Sequence, residues 1–175
     1  GDALSLGGAF EELDAEGGFS VGRDTFESPN LYAFNEDQNI RIPDEIAVDI
    51  GRNPQAGEIV ASHYVFFDPI WGTGQIGYVE FDAPILGVAT STRTLAASDY
   101  LLNTNVTYLN PTLRGLEPRD AVWIDPDNPF RLRVNWLAST PGDYVRVFTQ
   151  RSPVAGMAPN DAHALLTERA RPSKR

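Results

Sequence analysis

Apolar residues fall into short runs separated by turn-forming residues along most of the chain. Residues 59–67, Ile-Val-Ala-Ser-His-Tyr-Val-Phe-Phe, form the strongest run. Both alternating sets of positions in it carry apolar groups, the pattern of a central strand covered on two faces. Leu132, Val134 and Trp136 instead alternate with Arg131, Arg133 and Asn135, which predicts a strand that is dry on one face and wet on the other. Val122 and Ile124 lead towards it through Asp125-Pro126-Asp127-Asn128, a turn composition, so residues 121–136 read as a hairpin. Further strands are predicted at Phe19–Val21, Leu31–Phe34, Ile40–Ile42, Ile46–Ile50, Ile76–Phe81, Ile85–Thr90, Val106–Tyr108 and Tyr144–Thr149. Trp71-Gly72-Thr73-Gly74 and Pro141-Gly142 read as turns.

Helical signals are few. Residues 94–102 predict a short interior helix with Thr94 as its cap, and Asn160 or Asp161 starts a second one running through Glu168. A βαβ architecture needs helices of about 10–15 residues between strands, and the pattern offers none. The expected fold is therefore all-β, a two-sheet β-sandwich or jelly roll with one or two short helices. Residues 1–18 read as an irregular acidic lead-in, 19–150 as the sandwich, and 151–175 as a linker, short helix and basic tail. Val65, Phe67, Val79, Phe81, Leu132, Val134 and Trp136 are the expected core between the sheets.

Composition narrows the chemistry. The 175 residues contain no cysteine, which excludes disulfides, thiolate metal sites and a cysteine nucleophile. Lys174 is the only lysine, so the body of the domain has no Schiff-base residue. The net charge of −10 is uneven: residues 1–49 hold twelve acids against Arg23 and Arg41, whereas residues 151–175 carry a net +3. So acidic a body repels phosphate backbones and argues against nucleic-acid binding. No apolar run reaches the roughly 18 residues of a membrane span.

Several segments carry a resemblance: Leu31–Asn39 (LYAFNEDQN), Ser62–Pro69 (SHYVFFDP), Gly77–Leu86 (GYVEFDAPIL), Leu95–Leu101 (LAASDYL), Arg114–Glu117 (RGLE) and Pro141–Val147 (PGDYVRV). Together they resemble a group of uncharacterised bacterial exported proteins, many of which carry a C-terminal PEP-CTERM-type sorting signal. The resemblance covers roughly residues 31–149. It implies export to the cell surface or medium and a β-sandwich-like domain, and it implies no activity. The chain departs from the pattern at its end, where a basic tip is present without the Pro-Glu-Pro motif or an apolar helix.

The candidate chemistry is thin. A hydrolase would need a serine, a histidine and a carboxylate converging in space. Ser62 and His63 are adjacent in a strand and so point to opposite faces, and no Gly-x-Ser-x-Gly elbow is present. The expected role of His63 is structural, bonded to backbone or a carboxylate. Acids such as Glu36, Asp49, Asp68, Asp125 and Asp143 fall at strand ends, where they cap turns or, with carbonyls, supply a structural calcium site. Asn105-Val106-Thr107 matches a glycosylation acceptor that bacterial export would leave silent. Trp71, Trp123 and Tyr78 are the candidate ligand-stacking residues, and the apolar set Leu4, Leu6, Phe10 and Leu13 is the candidate assembly segment, adding as a strand to a neighbouring copy.

These observations point to a non-enzymatic extracellular structural or interaction module, free of cofactors and self-assembling through its terminal segments. A carbohydrate-binding module is the first alternative and a hydrolase the second. Expected partners are other copies of the chain or an extracellular polysaccharide.

Overall fold

The computed structural model describes residues 10–22, 25–69, 73–138 and 143–153. The long apolar run is β6 (Ile59–Phe67), at the middle of the larger sheet. β12 (Asp143–Gln150) lies antiparallel beside it, from Asp143 opposite Phe67 to Gln150 opposite Val60. β3 (Leu31–Asn35) flanks β6 on the other side and β8 (Ile85–Ala89) flanks β12. Short strands finish this sheet: β1 (Phe10–Glu12) runs parallel to β3, β5 (Ile50–Gly51) pairs with β8, and β4 (Ile40–Arg41) pairs with β6 beyond the end of β3. The second sheet is antiparallel, with β11 (Arg131–Ala138) between β10 (Ala121–Ile124) and β7 (Thr73–Glu80). A parallel pair, β2 (Phe19–Val21) and β9 (Val106–Tyr108), forms a third sheet. The fold is all-β and sandwich-like, with α1 (Thr92–Ala97) and a few 3-10 turns as the helical content of the described residues; the second helix expected from Asn160 or Asp161 lies outside them.

Alternation along β3, β6 and β12 creates two cores, one on each side of the larger sheet. Leu31, Ala33, Val65, Phe67, Val145 and Val147 face the three-stranded sheet and meet Val79, Leu132, Val134 and Trp136. All seven residues expected between the sheets lie in this cluster and are buried. The opposite set, Tyr32, Phe34, Tyr64, Phe66, Tyr144 and Phe148, packs against Val21, Leu95, Leu101 and Val106 from the third sheet and the helical turns. This second core is aromatic: the Tyr32 and Phe66 rings stack at 5.3 Å, and Phe66 and Tyr144 at 5.8 Å. Because both faces are covered, every residue of β12 except Gln150 is buried.

Local differences from the sequence reading have identifiable causes. Of the expected strand at Ile46–Ile50 only Ile50 joins the ladder. The Ile46 amide bonds the Pro54 carbonyl and the Val48 amide bonds Asn53 Oδ1, so turn contacts replace strand pairing while Ile46 stays buried. The helix begins earlier than expected. Ser91, not Thr94, is its N-cap, and Thr94 closes the capping box from the third helical position. Ser98 Oγ then donates back to the carbonyls of Thr94 and Leu95, where the helix stops. Phe10–Glu12, in a stretch whose glycines suggest no regular element, forms β1 on the chain's own sheet.

Candidate functional site

Polar groups concentrate in three places, and burial separates their roles. The first is an ion network inside the aromatic core. Arg146 is fully buried in the middle of β12. Its Nε and Nη2 donate to Glu36 Oε1 and Oε2 at 2.6 and 2.9 Å, a two-pronged pairing across the sheet. Its Nη1 donates to the Leu95 carbonyl, Ser98 Oγ and Asp99 Oδ1. Asp99 also takes a two-pronged bond from Arg114, 2.8 Å on each side. Glu36 accepts two more bonds, from Ser62 Oγ at 2.8 Å and Tyr108 OH at 2.7 Å. Burial works against the Asp99 carboxylate, but Arg114 and Arg146 outweigh it and hold its pKa below the ordinary value. Burial raises the Tyr108 phenol, and neighbouring Glu36 adds to the shift. The network ties the larger sheet to the helical turns, and it explains where the serine preceding His63 points.

The second place is the sheet-to-sheet core around His63. Its Nδ1 meets Asn35 Oδ1 at 2.7 Å and its Nε2 meets Thr149 Oγ1 at 3.0 Å. The partners are thus an amide and a hydroxyl rather than backbone or a carboxylate. Burial lowers the imidazole to about 3, so it is neutral, and the Phe81 ring lies 4.7 Å away. Hydroxyl, imidazole and amide in a row have the connectivity of a nucleophile relay. Thr149, however, is fully buried, and so depressed an imidazole is far from the pKa a base needs near neutral pH. On this geometry the row is core hydrogen bonding.

The carboxylates at strand ends act mainly as caps. Asp49 accepts from the Thr90 and Ser91 amides at 2.7 and 3.1 Å, and Asp68 from the Thr25 and Phe26 amides at 2.9 and 3.1 Å. Asp125 accepts from the Asp127 amide at 2.9 Å and from Arg133 Nε at 2.7 Å. Asp143 is different. It is buried at the start of β12, its Oδ2 has no hydrogen-bond partner, and its carboxyl bonds that of Asp120. The chain reaches this contact through Gly115, which bridges to Tyr144 at φ +106° with the Thr90 carbonyl 2.9 Å from where a Cβ would stand. Burial first, then Asp120 and Glu117, push the Asp143 carboxyl up to about 9. Among the described residues no group of three or more His, Asp or Glu side chains is placed to hold a metal ion.

The third place is the outer face of the three-stranded sheet, which is open among the described residues. Register aligns Trp123 of β10, Arg133 of β11 and Tyr78 of β7 in one cross-strand row. Trp123 is 40% exposed, a high value for so large an apolar side chain. Tyr78 is partly covered: the Arg131 guanidinium sits 3.9 Å over its ring centroid, and that of Arg133 lies at 5.5 Å. Glu80 and Asp125 accept from these arginines, Glu80 from Arg131 at 3.2 Å. Arg133 spends only Nε in this way, and among the described residues its Nη1 and Nη2 have no partner.

Of the candidate stacking residues, the fold thus brings Trp123 and Tyr78 onto one face, with Tyr78 anchoring arginine rather than presenting a bare ring. Trp71 lies outside the described residues, as do Leu4 and Leu6. Phe10 is in β1 on the chain's own sheet, and Leu13 packs against the aromatic core. Arg133, which the sequence reading placed on the wet face without a role, is the missing member of the row. No family model matches the chain, and no curated protein or solved structure is detectably similar to it.

Proposed function

We propose that this chain is a non-enzymatic extracellular interaction module that holds its ligand on the open face of the three-stranded sheet. The observation that carries the reading is the row Trp123–Arg133–Tyr78. It combines an exposed indole with a guanidinium that keeps two nitrogens free among the described residues, on one face of a sheet, the residue types that dominate binding hot spots. The inner polar groups support the same reading by exclusion, since the ion network and the His63 row are buried and spent on each other. Pairing of Phe10–Glu12 with β3 favours the open face over the N-terminal segment as the contact. The extracellular setting rests on the likeness to bacterial exported proteins carried by segments such as Ser62–Pro69 and Gly77–Leu86.

The test is co-sedimentation with the insoluble extracellular matrix of a biofilm-forming bacterium. Wild-type protein is expected in the pellet and Trp123→Ala in the supernatant, with the two melting alike. Equal pelleting of both proteins rules out this face as the contact.

A further inference from the structure

We infer that the ligand of this face is a neutral polysaccharide, whose sugar rings lie on Trp123 and whose hydroxyls are held by Arg133. The inference rests on the reading of the open face as the contact surface, and adds the chemical class of what binds there.

Three observations select that class. The first is shape. Trp123, Arg133 and Tyr78 are direct cross-strand neighbours on a sheet, so their side chains succeed one another about 5 Å apart. That spacing is comparable to a sugar ring, and the exposed indole offers an apolar plane for the ring's C–H face, as aromatic side chains do with one dry side and one wet edge.

The second is charge. Arg131 and Arg133 are matched on this face by Glu80 and Asp125, which contact them. The row is therefore close to neutral, and it belongs to a chain of net −10. A polyanion approaching such a body is repelled at long range. A neutral polymer meets no such barrier, and a cationic one finds the acids already paired with arginine.

The third is hydrogen-bonding capacity. Arg133 has Nη1 and Nη2 without partners among the described residues, a fork of donors from which vicinal hydroxyl oxygens can accept. Because Arg133 is held by Asp125 and lies against Tyr78, its orientation is set before the ligand arrives, and little side-chain freedom is lost on binding.

Affinity electrophoresis in native gels tests this with three probes: mixed-linkage β-glucan and galactomannan as neutral polymers, polygalacturonate as the acidic one. The expected result is retardation of the wild type by at least one neutral polymer, little changed by added salt. Trp123→Ala is expected to weaken it about tenfold or more and Arg133→Gln several-fold, while Leu113→Ala, at an exposed apolar residue of another element, leaves it intact. Retardation by polygalacturonate alone, lost in salt and in Trp123→Ala, overturns the neutral class while leaving the face in place. Retardation that survives Trp123→Ala, or no retardation by any of the three polymers, overturns the inference, the former because the contact lies elsewhere. In the latter case, loss of matrix co-sedimentation in Trp123→Ala still tells a wrong ligand class from a wrong face.

Discussion

β11 and β12 follow each other in the chain, both are eight residues long, and both carry arginine next to core-facing apolar residues, two in β11 and one in β12, yet the arginines do opposite things. In β11, Arg131 and Arg133 look outward, and Leu132, Val134 and Trp136 look into the core. In β12 there is no outward side, and Arg146 is fully buried. The difference comes from the neighbouring layers. β11 has the larger sheet on one face only, while β12 is covered by the three-stranded sheet on one face and by α1, its following turn and the third sheet on the other. A charged group with water on one side can keep part of its hydrogen-bonding capacity free for a ligand. A charged group without water must be matched completely inside the protein, because a buried unpaired charge costs several kcal/mol. The same residue type therefore faces outward on one strand and is a structural tie on the next.

The sharpest break of this comparison is at Arg146. Arg146→Met strands Glu36 in the aromatic core and is expected to destabilise the protein by about 3–5 kcal/mol, read by denaturant unfolding. Adding Glu36→Gln to it should restore part of the loss, since the orphaned charge is then gone. A loss under about 1 kcal/mol for Arg146→Met alone would mean that the network is solvated. Phe67→Ala probes the dry core where the two sheets meet, and the same experiment should show about 3–5 kcal/mol, the cost of deleting a large core side chain.

Asp143 gives an effect of the opposite sign. Its carboxyl is raised to about 9 in the folded chain against about 4 unfolded. Between those values the native state holds a proton that the unfolded state releases, so stability falls as pH rises, by up to about 1.4 kcal/mol per unit. His63 works the other way, since its depressed value of about 3 against about 6.5 unfolded makes stability rise with pH across that interval. From pH about 4 to 6.5 the two slopes oppose each other, and above 6.5 only the Asp143 slope remains. Asp143→Asn is expected to stabilise the protein by about 1–3 kcal/mol at pH 7–8 and to flatten the decline of melting temperature between pH 7 and 9. A variant that melts lower than wild type at pH 8 would show that the ionised pair is well tolerated.

The strand pattern made most of this fold legible. The alternation around Leu132–Trp136 and the two-faced run at 59–67 place the three-stranded sheet and the centre of the larger one as found. The third sheet was not legible as such, because Phe19–Val21 and Val106–Tyr108 are too short to reveal that they pair with each other across some 85 residues of chain. The ion network was missed because its members are far apart in sequence, Glu36 and Arg146 being 110 residues apart. One local signal was available. Arg146 sits between Val145 and Val147 and two positions from Tyr144 and Phe148, so both faces of its strand are apolar and no wet side exists for it. For the open face, Trp123 and Tyr78 were visible as aromatics in their strands, but their alignment with Arg133 depends on a register that a single sequence does not specify.

The smallest stability effects belong to the outer face, and there the comparison meets function. Trp123→Ala should change unfolding free energy by no more than about 0.5–1 kcal/mol. Isothermal titration of a soluble neutral glucan oligosaccharide into wild-type and Trp123→Ala protein, with a thermal melt of each, tests the central claim most directly. The account predicts a binding heat for the wild type that disappears in the variant while the two melts coincide. Binding retained in a variant that melts like the wild type would contradict it.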